Sequence, residues 1–132
     1  MSSSDLTVVA AGVTLHETIA AAEILARDGI AIRIIDPFTV KPLDRKLIAD
    51  NARQTHGRIL VVEDHYIEGG LGDAVAGELA EEPGLSIVKM GITEIPHSGE
   101  PEELLDRYGV SARHIAERVR RMIAAQIGRA HV

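Results

Sequence analysis

Four short apolar runs, Leu6–Ala11, Ala31–Ile35, Arg58–Val62 and Ser86–Met90, alternate with segments that carry the spacing and punctuation of helices. Runs this short and this continuously apolar suit strands covered on both faces, as in a parallel sheet. Parallel neighbours need crossover connections, and those connections are usually helices. The pattern therefore predicts an α/β fold, a three-layer α/β/α sandwich with a mainly parallel sheet.

Local signals set the helix limits. Gly12 breaks the first run, and Thr14-Leu-His-Glu17 has the Ser/Thr-x-x-Glu form of a capping box. The spacing predicts a helix from there to Asp28, stopped by Gly29, with Leu15, Ile19, Ala22 and Ala26 turned inward. Asp44 suits the N-cap of a helix that ends at Thr55, before Gly57. Further helices are expected over Leu71–Leu79, over Pro101–Leu105 and after Ser111. The last carries the stripe Ile115, Val119, Met122, Ile123 and Ile127. Residues Asp36–Leu43, with two prolines, and Glu63–Gly70 read as loops.

The 132 residues fit one domain, 1–132, with 1–4 and 128–132 expected to be flexible. At 45% hydrophobic and 26% charged residues, the chain can form a packed core. No apolar run approaches the roughly 20 residues that span a bilayer, so no membrane partner is expected. Cysteine is absent, which removes disulfides, thiol nucleophiles and thiolate metal ligands, and suits a cytoplasmic location. The start has neither a basic nor an apolar leader region. A net charge of −6 and an aromatic content of 2% argue against a nucleic-acid partner.

Ligands of such sheets sit beyond the carboxyl ends of the strands. The first loop there fails as a dinucleotide fingerprint, because Gly12 is followed by Val13, Thr14 and, at the third glycine position, Glu17. His16-Glu17 opens a zinc motif whose second histidine is replaced by Ala20, so no metal site is expected. Arg113, Arg118, Arg120 and Arg121 read as a solvated helix face. The most informative segment is Glu63-Asp64-His65-Tyr66, followed by Gly69, Gly70 and Gly72. Glycines permit close backbone approach, and a helix start offers free N–H groups to an anion or an acidic side chain. His65, between Asp64 and Glu68, could carry protons with a carboxylate partner. Equally, Glu63 and Asp64 could satisfy loop amides while the glycines shape a turn. No nucleophile, base and orienting acid form an evident set, so no catalytic residue is assigned.

The segments Ala11-Gly-Val-Thr-Leu-His-Glu17, Ile35-Asp-Pro-Phe-Thr-Val-Lys-Pro-Leu-Asp44, Val62-Glu-Asp-His-Tyr-Ile-Glu-Gly-Gly-Leu-Gly72 and Ile95–Asp106, taken in order, resemble the C-terminal domain of transketolases. The resemblance covers Asp5–Ile127; related versions occur in deoxyxylulose-phosphate synthase and in the β subunits of 2-oxo-acid dehydrogenases. It implies a domain of a thiamine-diphosphate enzyme that moves two-carbon ketol units between sugar phosphates. The resemblance implies that thiamine diphosphate and Mg²⁺ are held by other domains, one of which carries a Gly-Asp-Gly motif and an Asn that bind the metal, and that the glutamate activating the aminopyrimidine also lies upstream. Here only Gly72-Asp73-Ala74 is present, and Glu63 does not match that glutamate. The resemblance therefore implies no cofactor on this domain alone, and a role in packing and dimer assembly. The expected partners are upstream transketolase domains or a separate catalytic subunit, within a homodimeric enzyme. Two alternatives stand beside that role: a regulatory module binding an anion or sugar phosphate through Glu63, Asp64, His65, Gly69, Gly70 and Gly72, or a docking subunit of a dehydrogenase-type complex. The family's sheet has an added antiparallel edge strand for which the sequence shows no counterpart. The chain fits either an excised fragment or a split gene product.

Overall fold

A computed structural model describes residues 4–37, 45–66, 71–92 and 110–130. The elements are β1 (Leu6–Ala10), α1 (Val13–Ala26), β2 (Ile32–Ile35), α2 (Arg45–Gln54), β3 (Arg58–Tyr66), α3 (Leu71–Glu78), β4 (Ser86–Ile92) and α4 (Ala112–Ala130). The strands form one sheet in the order β2-β1-β3-β4, and every described pairing is parallel. The expected helix over Pro101–Leu105, the N-cap at Asp44 and most of the Asp36–Leu43 loop lie outside the described residues.

The chain moves one way across the sheet from β1 to β2 and the other way from β2 to β3 and β4. Crossovers of one hand then put α1 on one face and α2 and α3 on the other. The two cores follow this division. On the first face Leu6, Val8, Ala10, Leu60 and Val62 meet Ala21 and Leu25 of α1 and Ile115, Ala116 and Val119 of α4. On the second, Val9, Ile59 and Val61 meet Ile48, Ala49 and Ala52 of α2, with Val75 and Leu79. All five residues of β1 are buried, as a strand wedged between two helix layers requires.

Three expectations are corrected. The first concerns α1, whose buried line is Thr14, Thr18, Ala21 and Leu25, while Ile19 and Ala26 are exposed. The threonines tolerate burial because both hydroxyls donate to backbone carbonyls: Thr18 Oγ1 to Thr14 O within the helix at 2.7 Å, and Thr14 Oγ1 to Ala11 O and Val62 O outside it. The second is the capping box. Gly12 precedes the helix with φ 63° and ψ −133° and no side-chain cap, while Glu17 reaches α4 instead. The third is the extent of β3, which runs to Tyr66. The backbone of Glu63–Tyr66 is strand, continued past a register shift by the pairing of Tyr66 with Ile92. α4 passes through Gly128 to Ala130.

Tight turns join the layers. Gly29 (φ 76°) and Gly57 (φ 74°) are left-handed, and a left-handed residue precedes each 6→1 closure: Gly29 before Ile30 N to Leu25 O at 3.0 Å, and His56 (φ 62°) before Gly57 N to Ala52 O at 2.7 Å. Their surroundings differ. A methyl at Gly29 would meet open space, whereas one at Gly57 would drive into the Gly84 carbonyl oxygen. The α2 and α3 layer is also tied by Glu82, which accepts hydrogen bonds from Arg45 at 2.9 Å and from Arg53.

Gly29→Ala is expected to cost about 1–2 kcal/mol, the left-handed penalty alone. Gly57→Ala should cost clearly more, because backbone must also move; urea denaturation of the two variants checks the order. The hydrogen bonds from Arg45, then those from Arg53, hold the Glu82 carboxyl below its usual 4.5. A depressed folded-state value gives stability that is present above the unfolded value and lost as pH falls through the folded one. The melting-temperature gap between wild type and Glu82→Gln should thus be open near neutrality and close on acidification.

Candidate functional site

The strand order puts a topological switch between β1 and β3, since the connections leave these neighbours on opposite faces. Residues at their carboxyl ends are therefore the place to look for a site. The gap is stitched by Thr14, whose hydroxyl lies 2.8 Å from Ala11 O and 3.1 Å from Val62 O. One hydroxyl proton serves these two acceptors, one just past β1 and one within β3. The buried hydroxyl thereby joins the start of α1 to β3.

Glu63 sits one residue further along β3 and is 5% exposed. Its alternation with Val62 turns it to the α2 and α3 face. Its Oε1 accepts the backbone N–H of Leu71, the first residue of α3. A carboxylate at this spot takes up an orphan donor and faces the positive end of the helix. Its other oxygen, Oε2, is buried with no hydrogen-bond partner. Gly72 explains how helix and strand come so close. A Cβ there would lie 2.6 Å from Lys89 Cγ and 3.1 Å from Glu63 Oε2. The stem of Lys89 crosses this glycine, and its ammonium pairs with Asp73.

On the other face Glu17 Oε1 accepts the Ala112 N–H at 3.3 Å, placing a carboxylate at the start of α4. Ser111 and His114 pair through Oγ and Nδ1 at 2.9 Å. Sequence pattern missed the Glu17 contact, because its partner lies 95 positions away.

Of the segment singled out by sequence, the structure brings together Glu63 and Gly72. Asp64 and His65 are strand by backbone, but their side chains, with Gly69 and Gly70, lie outside the described residues. Among the described residues no three His, Asp or Glu side chains gather as metal ligands. Asp73, the acid of Gly72-Asp73-Ala74, has a lysine ammonium against it where a bound cation would need the carboxylate. These residues do not fit a diphosphate-bound metal. Among the described residues no helix is long and apolar enough to cross a membrane.

Glu63→Ala should remove the acceptor from the start of α3 and cost about 0.5–2 kcal/mol, as loss of a helix cap does. Amide exchange at Leu71 is expected to speed up while exchange in β1 keeps its protection.

The family model described as "Transketolase, C-terminal domain" matches residues 1–115. Transketolase of Homo sapiens is 54% identical over 118 residues, which cover 89% of this chain and 19% of the human protein. Transketolase-like protein 2 of Mus musculus is 52% identical over 115 residues, 87% of this chain and 18% of that protein. The chain thus spans about a fifth of the length of these relatives. Among solved structures, a split-gene transketolase in the form of an inactive β4 tetramer superposes with a TM-score of 0.83 at 36% identity, over 93% of this chain and 40% of that one. A transketolase from Pichia stipitis superposes at 0.67 with 19% identity, over 97% of this chain and 18% of that one, a likeness of fold.

Proposed function

This chain belongs to the transketolase C-terminal domain family, and on that premise we propose that it is a structural and assembly domain of a thiamine-diphosphate-dependent transketolase, without chemistry of its own. The larger enzyme would transfer a two-carbon ketol unit between sugar phosphates, as the family's name and the resemblance imply. Thiamine diphosphate, bound with a divalent metal in other domains, would supply the carbanion chemistry. This domain would hold those domains in place, as part of the same chain or as a separate subunit, within a homodimer.

One observation carries this reading: four polar side chains described at the carboxyl edge of the sheet each give a bond to the fold, although Oε2 of Glu63 is left without a partner. Thr14 stitches β1 to β3, Glu63 caps α3, Asp73 pairs with Lys89, and Glu17 caps α4. A side chain committed to such a bond cannot also grip a substrate without costing the fold that bond. The anion-binding alternative is weakened by the same fact, because Glu63 already brings negative charge to the start of α3.

The purified chain, given xylulose 5-phosphate, an aldose phosphate acceptor, thiamine diphosphate and Mg²⁺, should form no ketol-transfer product in a coupled assay. Turnover by the chain alone would defeat the proposal. Millimolar phosphate should leave its melting temperature unchanged; a rise would revive the anion-binding alternative.

A further inference from the structure

We infer that Lys89 is a two-position switch at the start of α3: its ammonium has a second seat on the buried oxygen of Glu63, so that Lys89 can release Asp73 without losing a carboxylate partner.

The sheet register brings the three side chains together. Lys89 of β4 lies opposite Val61 of β3. Paired residues of neighbouring strands share a face, and Glu63, two residues beyond Val61, points the same way. That face carries α3, because Val61 packs with Val75 and Leu79. An acid of β3, a lysine of β4 and the first turn of α3 therefore meet at one place.

Gly72 leaves the path between them open. The position that a Cβ would take on Gly72 lies 2.7 Å from Lys89 Cδ and 3.1 Å from Glu63 Oε2. No side chain of residue 72 stands between the two. Nζ is two bonds beyond Cδ, and the staggered settings of the last torsions carry it to either side of that point. In one setting it reaches Asp73, where the structure has it. The other seat is ready: Glu63 Oε2 is buried and has no hydrogen-bond partner. A strong donor thus stands within reach of an acceptor that lacks one.

Two opposed effects keep both seats accessible. The present pair is half wet, with side-chain exposures of 37% for Lys89 and 41% for Asp73. Ion pairs at such exposure contribute little. Glu63 is almost wholly buried, and an acceptor left unmade there costs free energy that an ammonium would recover. Against that gain, a move onto Glu63 strips water from the ammonium. Two discrete seats for one charge, with gain set against cost, form a bistable element. The trigger follows from charge: a cationic group arriving at Asp73 competes for its carboxylate and repels Lys89, which then turns inward. The start of α3 receives that group while its own lysine stays paired.

The chain has three lysines, Lys41, Lys46 and Lys89, so amine acylation can be read residue by residue. Trace acetic anhydride followed by peptide mass spectrometry gives the rate at Lys89 relative to exposed Lys46. Asp73→Asn removes the outer seat and mimics an Asp73 already taken. Glu63→Gln removes the charge of the inner seat and keeps an oxygen for the Leu71 N–H. Lys89 should react at least about threefold more slowly in Asp73→Asn than in the double variant Asp73→Asn/Glu63→Gln, because a buried, hydrogen-bonded ammonium is a poor nucleophile. Glu63→Gln alone should leave the rate as in wild type, since the ammonium then sits on Asp73. Equal rates in the single Asp73→Asn and the double variant would overturn the switch. So would the same acceleration by Glu63→Gln with Asp73 in place, which would mark a loosened helix start instead of a second seat. Asp73→Ser repeats the comparison if circular dichroism shows Asp73→Asn to be misfolded.

Discussion

Every residue of β1 from Leu6 to Ala10 is buried, with a strand on either side and a helix layer above and below, and the other elements are arranged by that fact. A strand with no wet side must have both faces supplied with apolar partners. Val8 is met by α1 and α4, Val9 by α2. The helices can reach their faces only if the chain reverses its direction of travel across the sheet after β2. That reversal creates the switch between β1 and β3, which in many α/β proteins opens a ligand crevice. Here Thr14 bridges the gap, so the same requirement that builds the core also places a polar tie where a pocket would begin.

At the carboxyl edge, charged groups support the fold. Glu63 and Glu17 are both placed at starts of helices, one on each face, and both accept backbone N–H groups. A carboxylate there offsets part of its own desolvation through the orphan donor and the helix field. The arrangement gives both acids a part in holding a helix start to the sheet or to a neighbouring helix.

Much of the architecture was legible from residues alone, because apolar runs and glycine stops are local signals. Gly29 and Gly57 stand where the chain needs positive φ, and the four runs became the four strands. The inner face of α1 was not legible. Hydropathy pointed to Leu15, Ile19, Ala22 and Ala26, but Thr14 and Thr18 satisfy their own hydroxyls and pass as core residues. A short polar side chain whose hydroxyl is satisfied by a nearby carbonyl looks exposed to any pattern based on apolarity. Glu17 misled for a related reason. It matched a local capping rule, while its actual partner belongs to a helix folded from the far end of the chain. The extension of β3 through Glu63–Tyr66 depends on a register shift against β4, which no single-strand pattern encodes.

That long-range bond from Glu17 to Ala112 has a consequence during synthesis. Helix α4 is the last described element to emerge, yet it covers Leu60 and Val62 and seals the face that α1 begins. While it is still within the ribosome, the nascent chain carries a half-covered sheet, with apolar side chains facing water and one helix lacking its neighbour. Contacts between distant parts of a chain form late, since the intervening segment must first be closed into a loop. Chaperones and proteases therefore have their best access to this domain in the interval before its C-terminal helix docks.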